Sequence, residues 1–392
     1  VWAGAVRSRM TRAAANPRKP ITRRSGSGEA EGAGVRDQAV RSEIPEPAYV
    51  VEGKGAGAAK ARVYVGDCRR ILAALPEVRE SKVDLVFADP PFNWSRDYDR
   101  WKAAQAERAA RGVERYETWD DAIPREDYLQ FTREWIGLCA GGLRPGGALW
   151  INIPDDTAAE IVVYVKNELK FEMVNWCIWH YRFGQNRTGS FINSKVHALY
   201  FCKPGGGGGI GGRTWDPSLI LEPSDRASTY FDPRTLSKSD GMPAGKRVPM
   251  DVWYGKYWGR IQGNNKERRG NHDNQLPEAY LERVILSTSR EGDVVLDPFL
   301  GSGTTAVVAQ HYGRRFIGCE FSAANAASAV ERMRLGPDRP GKALGQPTAI
   351  FQARAASTDV EERFGATGTA GRGAKRRGGR AGAAGRGAKP GG

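Results

Sequence analysis

DVVLDPFLGSGTTAVVAQHYGRRFIGCEFS, Asp293 to Ser322, reads as strand, glycine turn, helix and strand. The apolar run Val294–Leu296 stops at Asp297, a turn of small residues follows, and a helix is expected to begin near Thr304. Gly301 and Gly303 let a ligand approach the backbone, while the helix N-terminus offers unpaired N–H groups. Glu320, at the end of the next strand, is placed to accept hydrogen bonds from a ribose diol. Asp297, Phe299, Gly301, Gly303, Thr304 and Glu320 are therefore the candidate cofactor contacts of this cradle. A nucleoside triphosphate would call for GxxxxGK[ST], but no lysine follows the glycine pair, and the dinucleotide pattern GxGxxG is incomplete because GSGTTA ends in alanine. S-adenosylmethionine needs neither, having no phosphate to hold. The bland alternative is an ordinary strand-to-helix turn.

The same alternation fills the chain from about Arg62 to Lys203. RVYVG, VDLVFA, GALWINI, NWCIWHY and HALYFCK read as strands; CRRILAAL and EDYLQFTREWIGLCAGGL read as helices, and LRPGG ends one such helix and starts the next strand. Alternating strands and helices imply an α/β fold whose sheet is mostly parallel, doubly wound and covered on both faces. At Pro204 the texture changes: KPGGGGGIGGR is a flexible break, and residues 211–272 show no clear period. Order resumes with the amphipathic PEAYLERVILSTS, which leads into the opening stretch. No internal repeat is visible.

VDLVFADPPFNW, Val83 to Trp94, ends a buried strand at an aspartate and two prolines. A carboxylate, a rigid backbone and an aromatic face suit the exocyclic amino group of a flat heterocycle. Asp89 and the carbonyl of Pro90 can accept its two hydrogens, Phe92 can stack on the ring, and Pro90 and Pro91 hold the geometry in advance. A common turn is the alternative.

DPPF together with DPFLGSGTT resembles the amino-directed DNA methyltransferases, and the DPPF-first order resembles their beta class. The resemblance extends over roughly residues 60–335. It implies a Rossmann-like methyltransferase fold with circularly permuted motifs, an inserted target-recognition region and S-adenosylmethionine as cofactor. GDCRRILAALPEV matches the family segment whose acid reaches the cofactor adenine, at Asp67. NHDNQLPEAYLERVI matches the stretch that closes over the methionine end, at His272, Gln275 and Pro277, with Leu276 where lysine is common. DVWYGKYWGRIQGNNKERRG is similar to the family's linker between target recognition and the cofactor half. One departure is the charged, Ala-rich insert at 102–118, ahead of Trp119, Asp120 and Asp121, which reads as a helical flap or an inert excursion. FGQNRTGSFINSKVHALYF matches loosely, and no catalytic role attaches to it.

The implied reaction is direct methyl transfer to adenine N6 of duplex DNA after base flipping, with cytosine N4 as the alternative amino target. No cysteine follows a proline, which argues against cytosine C5 chemistry through a thiolate. The rival of another class is a non-catalytic DNA-binding protein with a degenerate methyltransferase fold. Sequence reading is expected from residues 205–272, where Lys246, Arg247, Lys256, Arg260, Lys266, Arg268 and Arg269 interleave with Trp253, Tyr254, Tyr257 and Trp258. A solvated basic face over a small aromatic core is the other reading of that pattern.

The formal charge of +14 belongs mostly to the ends: residues 1–44 carry +5 and residues 365–392 carry +7. The expected organisation is a disordered basic tail at 1–57, a catalytic half at 58–204, a target-recognition insertion at 205–272, a cofactor half at 273–340 and a basic low-complexity tail at 341–392. The five cysteines lack CxxC or CxxH spacing, so neither a zinc site nor any other metal is expected, and a reducing cytoplasm is. No apolar run nears the ~18 residues that span a bilayer, and no signal segment opens the chain. Double-stranded DNA is the expected partner, with nucleoid association through it. The sequence leaves open a homodimer, a cognate restriction endonuclease and the recognition site.

Overall fold

The computed structural model describes residues 44–53, 59–94, 121–181, 188–205, 211–224, 226, 244–262, 265–269 and 274–345. The strands are β1 (Tyr49–Val51), β2 (Ala61–Val65), β3 (Val83–Ala88), β4 (Leu143–Ile153), β5 (Glu172–His180), β6 (Lys195–Cys202), β7 (Glu222–Pro223), β8 (Lys246–Arg247), β9 (Val252–Trp253), β10 (Val294–Asp297) and β11 (Arg315–Glu320). The helices are α1 (Cys68–Ala74), α2 (Pro76–Arg79), α3 (Arg125–Gly142), α4 (Asp155–Asn167), α5 (Glu278–Thr288), α6 (Thr304–His311) and α7 (Ala323–Leu335).

Nine strands form one sheet in the order β1-β2-β11-β10-β3-β4-β6-β5-β9. The block β2-β11-β10-β3-β4 is parallel throughout, whereas β1 and β6 run antiparallel to their neighbours. The mostly parallel sheet expected from the alternation is thus present. Strand side chains alternate between two cores: Leu85 and Phe87 of β3 pack with α5, α6 and α7, and Val83 and Val86 pack with α1, α3 and α4. Helices on both faces explain why these strands are nearly continuous in apolar residues.

Pairing of β10 with β3 puts Val295 beside Leu85 and Leu296 beside Val86, across some 210 residues of chain. From β10 the chain moves outward to β11, and from β3 it moves the other way to β4. The crevice at the carboxyl ends of β3 and β10 is therefore the point where the winding reverses, the place where doubly wound sheets bind ligands.

LRPGG ends α3 and opens β4, as expected, the strand absorbing Pro145–Gly147 as a register shift opposite Val83 and Leu85. Three expectations about boundaries are corrected. The N-terminal tail does not reach residue 57: Tyr49–Val51 pair with β2, Val51 is buried, and Gln310 of α6 donates to its carbonyl at 3.1 Å. The segment 205–272 is not wholly an insertion, because β9 extends the main sheet beside β5 and Trp253 and Trp258 lie in the core. At the other end, the first residues of 341–392 are packed: Ala343 is buried and the Gly341 N–H donates to Glu282.

One buried ion pair joins α5 to α7. The Glu278 carboxylate accepts from Arg332 Nη2 at 3.0 Å and from the backbone N–H groups of Asp338 (3.0 Å) and Arg339 (2.8 Å). Arg332 also donates to the Ser302 carbonyl (3.2 Å) and Thr304 Oγ1 (2.7 Å), so it holds the glycine turn as well. Both side chains are almost without solvent contact. Removing one partner strands the other charge in the core; Glu278→Ala is expected to cost about 3–5 kcal/mol in urea unfolding, against under about 0.5 for the exposed Glu331→Ala.

Candidate active site

At the reversal point lies a cavity of about 720 Å³, within the ~300–1,000 Å³ usual for small-molecule sites. Asp89 to Phe92 line one part of its wall; Asp297 to Ser302, Thr304 and Glu320 line another. The two motifs that the sequence separates by about two hundred residues thus open into one space, because their strands are neighbours.

Asp89 follows the last residue of β3 and is half-buried. Its Oδ1 accepts from Asn152 Nδ2 at 3.1 Å. Burial pushes the carboxyl up to about 7, the Asn152 hydrogen bond only partly opposing it. The turn after it is fixed from several sides. Tyr128 of α3 donates to the Pro91 carbonyl at 2.9 Å, and the Asp121 carboxylate accepts the N–H groups of Asn93 (2.8 Å) and Trp94 (3.0 Å). Asn93 has a φ of +56°, a conformation that asparagine tolerates, and its side chain exchanges two hydrogen bonds with Ile123. Phe92 meets Trp94 edge-on at 5.2 Å.

On the opposite side, Asp297 is buried at the end of β10, and burial raises its carboxyl to about 7. The Phe299 N–H donates to it at 2.9 Å. Gly301 and Gly303 both have positive φ, and a Cβ on Gly303 would stand 2.9 Å from that of Ala329, so glycine is required where the turn packs on α7. Glu320 accepts from the Gly301 N–H at 2.8 Å and the Ser322 N–H at 3.0 Å, and burial raises its carboxyl too. Phe299 meets Trp135 and Phe131 of α3 edge-on at 5.1 and 6.2 Å. Asp67 caps α1 and is gripped by Arg69, whose Nη2 lies 2.7 Å away. Burial opposes ionisation of Asp67, but the Arg69 hydrogen bonds outweigh it and hold the carboxyl below its ordinary range.

Gln275 lines the cavity, yet its carboxamide is occupied: it donates to the Glu267 carbonyl and accepts from the Arg269 N–H at 2.9 Å. Pro277 stands at the N-cap of α5. Thr304 donates to the Leu276 carbonyl at 3.2 Å as well as receiving Arg332. These residues shape the wall around the glycine turn. His272, Trp119, Asp120 and the insert at 102–118 lie outside the described residues.

Among the expected DNA contacts, the arginines are engaged within the protein. Arg247 pairs with buried Glu222 at 3.0 Å, Arg269 with Asp338 at 2.9 Å, and Arg260 donates to Asn274 at 2.7 Å while lying 4.9 Å over the Tyr181 ring. Lys246, Lys256 and Lys266 are exposed, and Arg268 is half-buried. Of these cations only Arg260 lines the cavity. Trp253 and Trp258 belong to the aromatic core, matching the second reading of that pattern.

Several contributors were not singled out from sequence. Asn152 is a lone polar residue in the buried strand GALWINI, which is a legible signal. Phe131, Trp179, Tyr181 and Asn274 also line the cavity, but nothing in their local sequence distinguishes them from core or loop residues.

A mostly parallel sheet that reverses its winding at a cleft, with the Asp89 carboxylate across that cleft from a glycine turn, defines a doubly wound α/β protein with a small-molecule site. A family model described as DNA methylase matches residues 83–331, and the chain belongs to this N6/N4 DNA methylase family; it is a DNA methyltransferase. The type II methyltransferase M.HpaI of Haemophilus parainfluenzae is 29% identical over 266 residues, covering 68% of this chain and 73% of its own length. M.BamHI of Bacillus amyloliquefaciens is 31% identical over 287 residues, covering 73% of this chain and 59% of its own. The solved structure of an M1.HpyAVI–SAM complex overlays with a TM-score of 0.45 at 18% identity, over 70% of this chain and 98% of that one. Among the described residues, no helix is long and apolar enough to cross a membrane.

A carboxyl with a raised pKa stabilises the fold least when ionised. For Asp89 the stability present below about pH 4 is lost as pH rises through about 7. Asp89→Asn keeps the shape without the charge. Its melting temperature is therefore expected to exceed that of the wild type by several degrees at pH 8, the gap growing between pH 4 and 7 and levelling off above.

Proposed function

We propose that the protein transfers a methyl group from S-adenosylmethionine to adenine N6 in duplex DNA, and that it is a beta-class enzyme. The observation that carries this reading is the single cavity shared by Asp89 and the glycine turn at Gly301 and Ser302. Its charge fits the cofactor. Asp67, Asp89, Asp297 and Glu320 line it against Arg69 and Arg260, and Arg69 is already matched by Asp67 and Glu134. Such a lining suits a sulfonium and a ribose diol and is poorly suited to a triphosphate or pyrophosphate. Asp67 and Phe299, with Phe131 behind, would hold the adenine end, and Glu320 the ribose; Gly301 and Gly303 leave room for the chain between.

When bound, the cofactor supplies an electrophilic methyl carbon on sulfur, which departs as a neutral thioether. The protein contributes position and charge. Asp89 accepts one amino hydrogen of the target base and the Pro90 carbonyl the other, which turns the nitrogen lone pair toward the cradle. So aimed, the amino nitrogen would be the nucleophile that takes up the methyl group, while the cradle residues hold the donor. The nitrogen then carries positive charge, which ionised Asp89 stabilises until a proton leaves to it or to water. A base within a duplex cannot reach this cavity, so it must flip, with Phe92 as its stacking face and Trp179, Tyr181 and Arg260 on the adjoining wall. The exposure of Lys246, Lys256 and Lys266 supports a role in phosphate contact, and the segment bearing them would read the site.

DNA from a host lacking methylation, incubated with protein and methyl-labelled cofactor, should gain label, and the nucleoside digest should yield N6-methyl-2′-deoxyadenosine. Asp89→Ala should lower transfer by at least about a thousandfold, consistent with losing a group that acts mainly in the transition state. Unlabelled DNA with the wild type, or normal transfer by Asp89→Ala, would falsify the catalytic assignment. Label in N4-methylcytosine would keep the chemistry and overturn only the base.

A further inference from the structure

Asp89 is not the end of its hydrogen-bond chain. Asn152 lies on β4, one residue beyond the Ile151↔Ala88 pair, and is 1% exposed. Its Oδ1 accepts from Tyr280 Oη at 2.6 Å, and its Nδ2 donates to Asp89 Oδ1 at 3.1 Å. Tyr280 is wholly buried on α5, and four rings surround it: Phe87 at 5.8 Å, Trp179 at 5.7 Å, Trp253 at 5.2 Å and Trp258 at 6.4 Å. The phenol cannot swing away.

We infer that Asn152 and Tyr280 are positioning residues for the methyl-transfer reaction, aiming Asp89 and holding it in its ionised form. This role rests on the reading of Asp89 as the amino-gripping carboxylate. The direction of the chain follows from chemistry. Burial keeps the tyrosine protonated, so it donates; the amide oxygen is thereby occupied and the amide nitrogen faces Asp89. An Asn amide presented by its nitrogen can only donate, and a donor favours the charged carboxylate. With the amide turned over, its oxygen would face the carboxylate and favour the protonated form, which is a weaker acceptor and carries no negative charge to set against the nitrogen as it becomes positive. Occupying Oδ1 also leaves Oδ2 as the oxygen for the substrate and limits rotation about the Asp89 side chain.

Other charged groups around Asp89 act on the same equilibrium. Asp297 on β10 is coupled to it by repulsion, the Asp89 charge raising the Asp297 carboxyl, while Asp67, Glu320, Arg69 and Arg260 line the rest of the cavity. None of them occupies the position of Asn152, so its removal is separable.

The test is the pH dependence of methyl transfer to unmethylated plasmid DNA, with Asn152→Ala, Tyr280→Phe and the double variant. Transfer by the wild type should rise through about pH 7 as Asp89 ionises. In Asn152→Ala that limb should move up by about one pH unit; kcat should fall about fivefold at pH 7 and recover toward wild type at pH 9, with KM for DNA and cofactor within about threefold. Tyr280→Phe keeps the ring packing and should move the limb in the same direction by less. The double variant should match Asn152→Ala, since the phenol acts through the amide. A limb unmoved in both single variants, or an equal loss at every pH, overturns the positioning role. Should Asn152→Ala fail to fold, Tyr280→Phe alone decides. No transfer by the wild type would instead sink the functional reading beneath it.

Discussion

The site depends on one backbone pairing, the parallel registration of β10 against β3. Hydrogen bonding between these strands is indifferent to how far apart they lie in sequence; it requires only that both bury apolar residues on their two faces. Once they are paired, Asp89 and Asp297 fall at the same edge of the sheet. The cradle opened by Gly301 and Gly303 then faces the DPPF turn without any loop having to reach across. Everything chemically specific is at strand ends, and everything that fixes those ends is ordinary packing beneath them.

The surrounding structure tightens that edge. Tyr128, Asp121 and Ile123 hold the DPPF turn, while the buried Glu278–Arg332 pair ties the glycine turn to two helices. The carboxylates inside the cavity are then in an unfavourable place, shielded from water and near one another. Asp89 and Asp297 both sit near pH 7 rather than in the usual carboxylate range. The cavity of this methyltransferase is lined by groups that the fold by itself would be more stable without.

Sequence alone revealed the alternation of strands and helices, the cradle and the DPPF turn, because each is local: apolar periodicity, glycines at a turn, prolines after an acid. It also located Glu320 by spacing. What escaped it was relational. Asn152 and Tyr280 are 128 residues apart and become partners only through the stacking of α5 on β4. Trp253 and Trp258 resemble stacking residues by composition, yet they are core, because Val252 and Trp253 pair with β5. Gln275 falls where expected on the cavity wall, but its amide hydrogen bonds go to the neighbouring backbone. Local patterns name residue types; which atom is still available depends on what else packs there.

The strand order also bears on how the chain comes to be folded. β2 and β3 are close in sequence, but β11 and β10 lie between them in the sheet. A chain emerging from the ribosome therefore presents two unpaired inner edges, flanking a gap two strands wide, until about residue 320 is free. Antiparallel β4, β5 and β6 can assemble early from nearby segments, while the DPPF end of β3 waits for the last part of the domain. The active edge is completed late in synthesis, so a truncated product would carry the DPPF motif on an unfinished sheet.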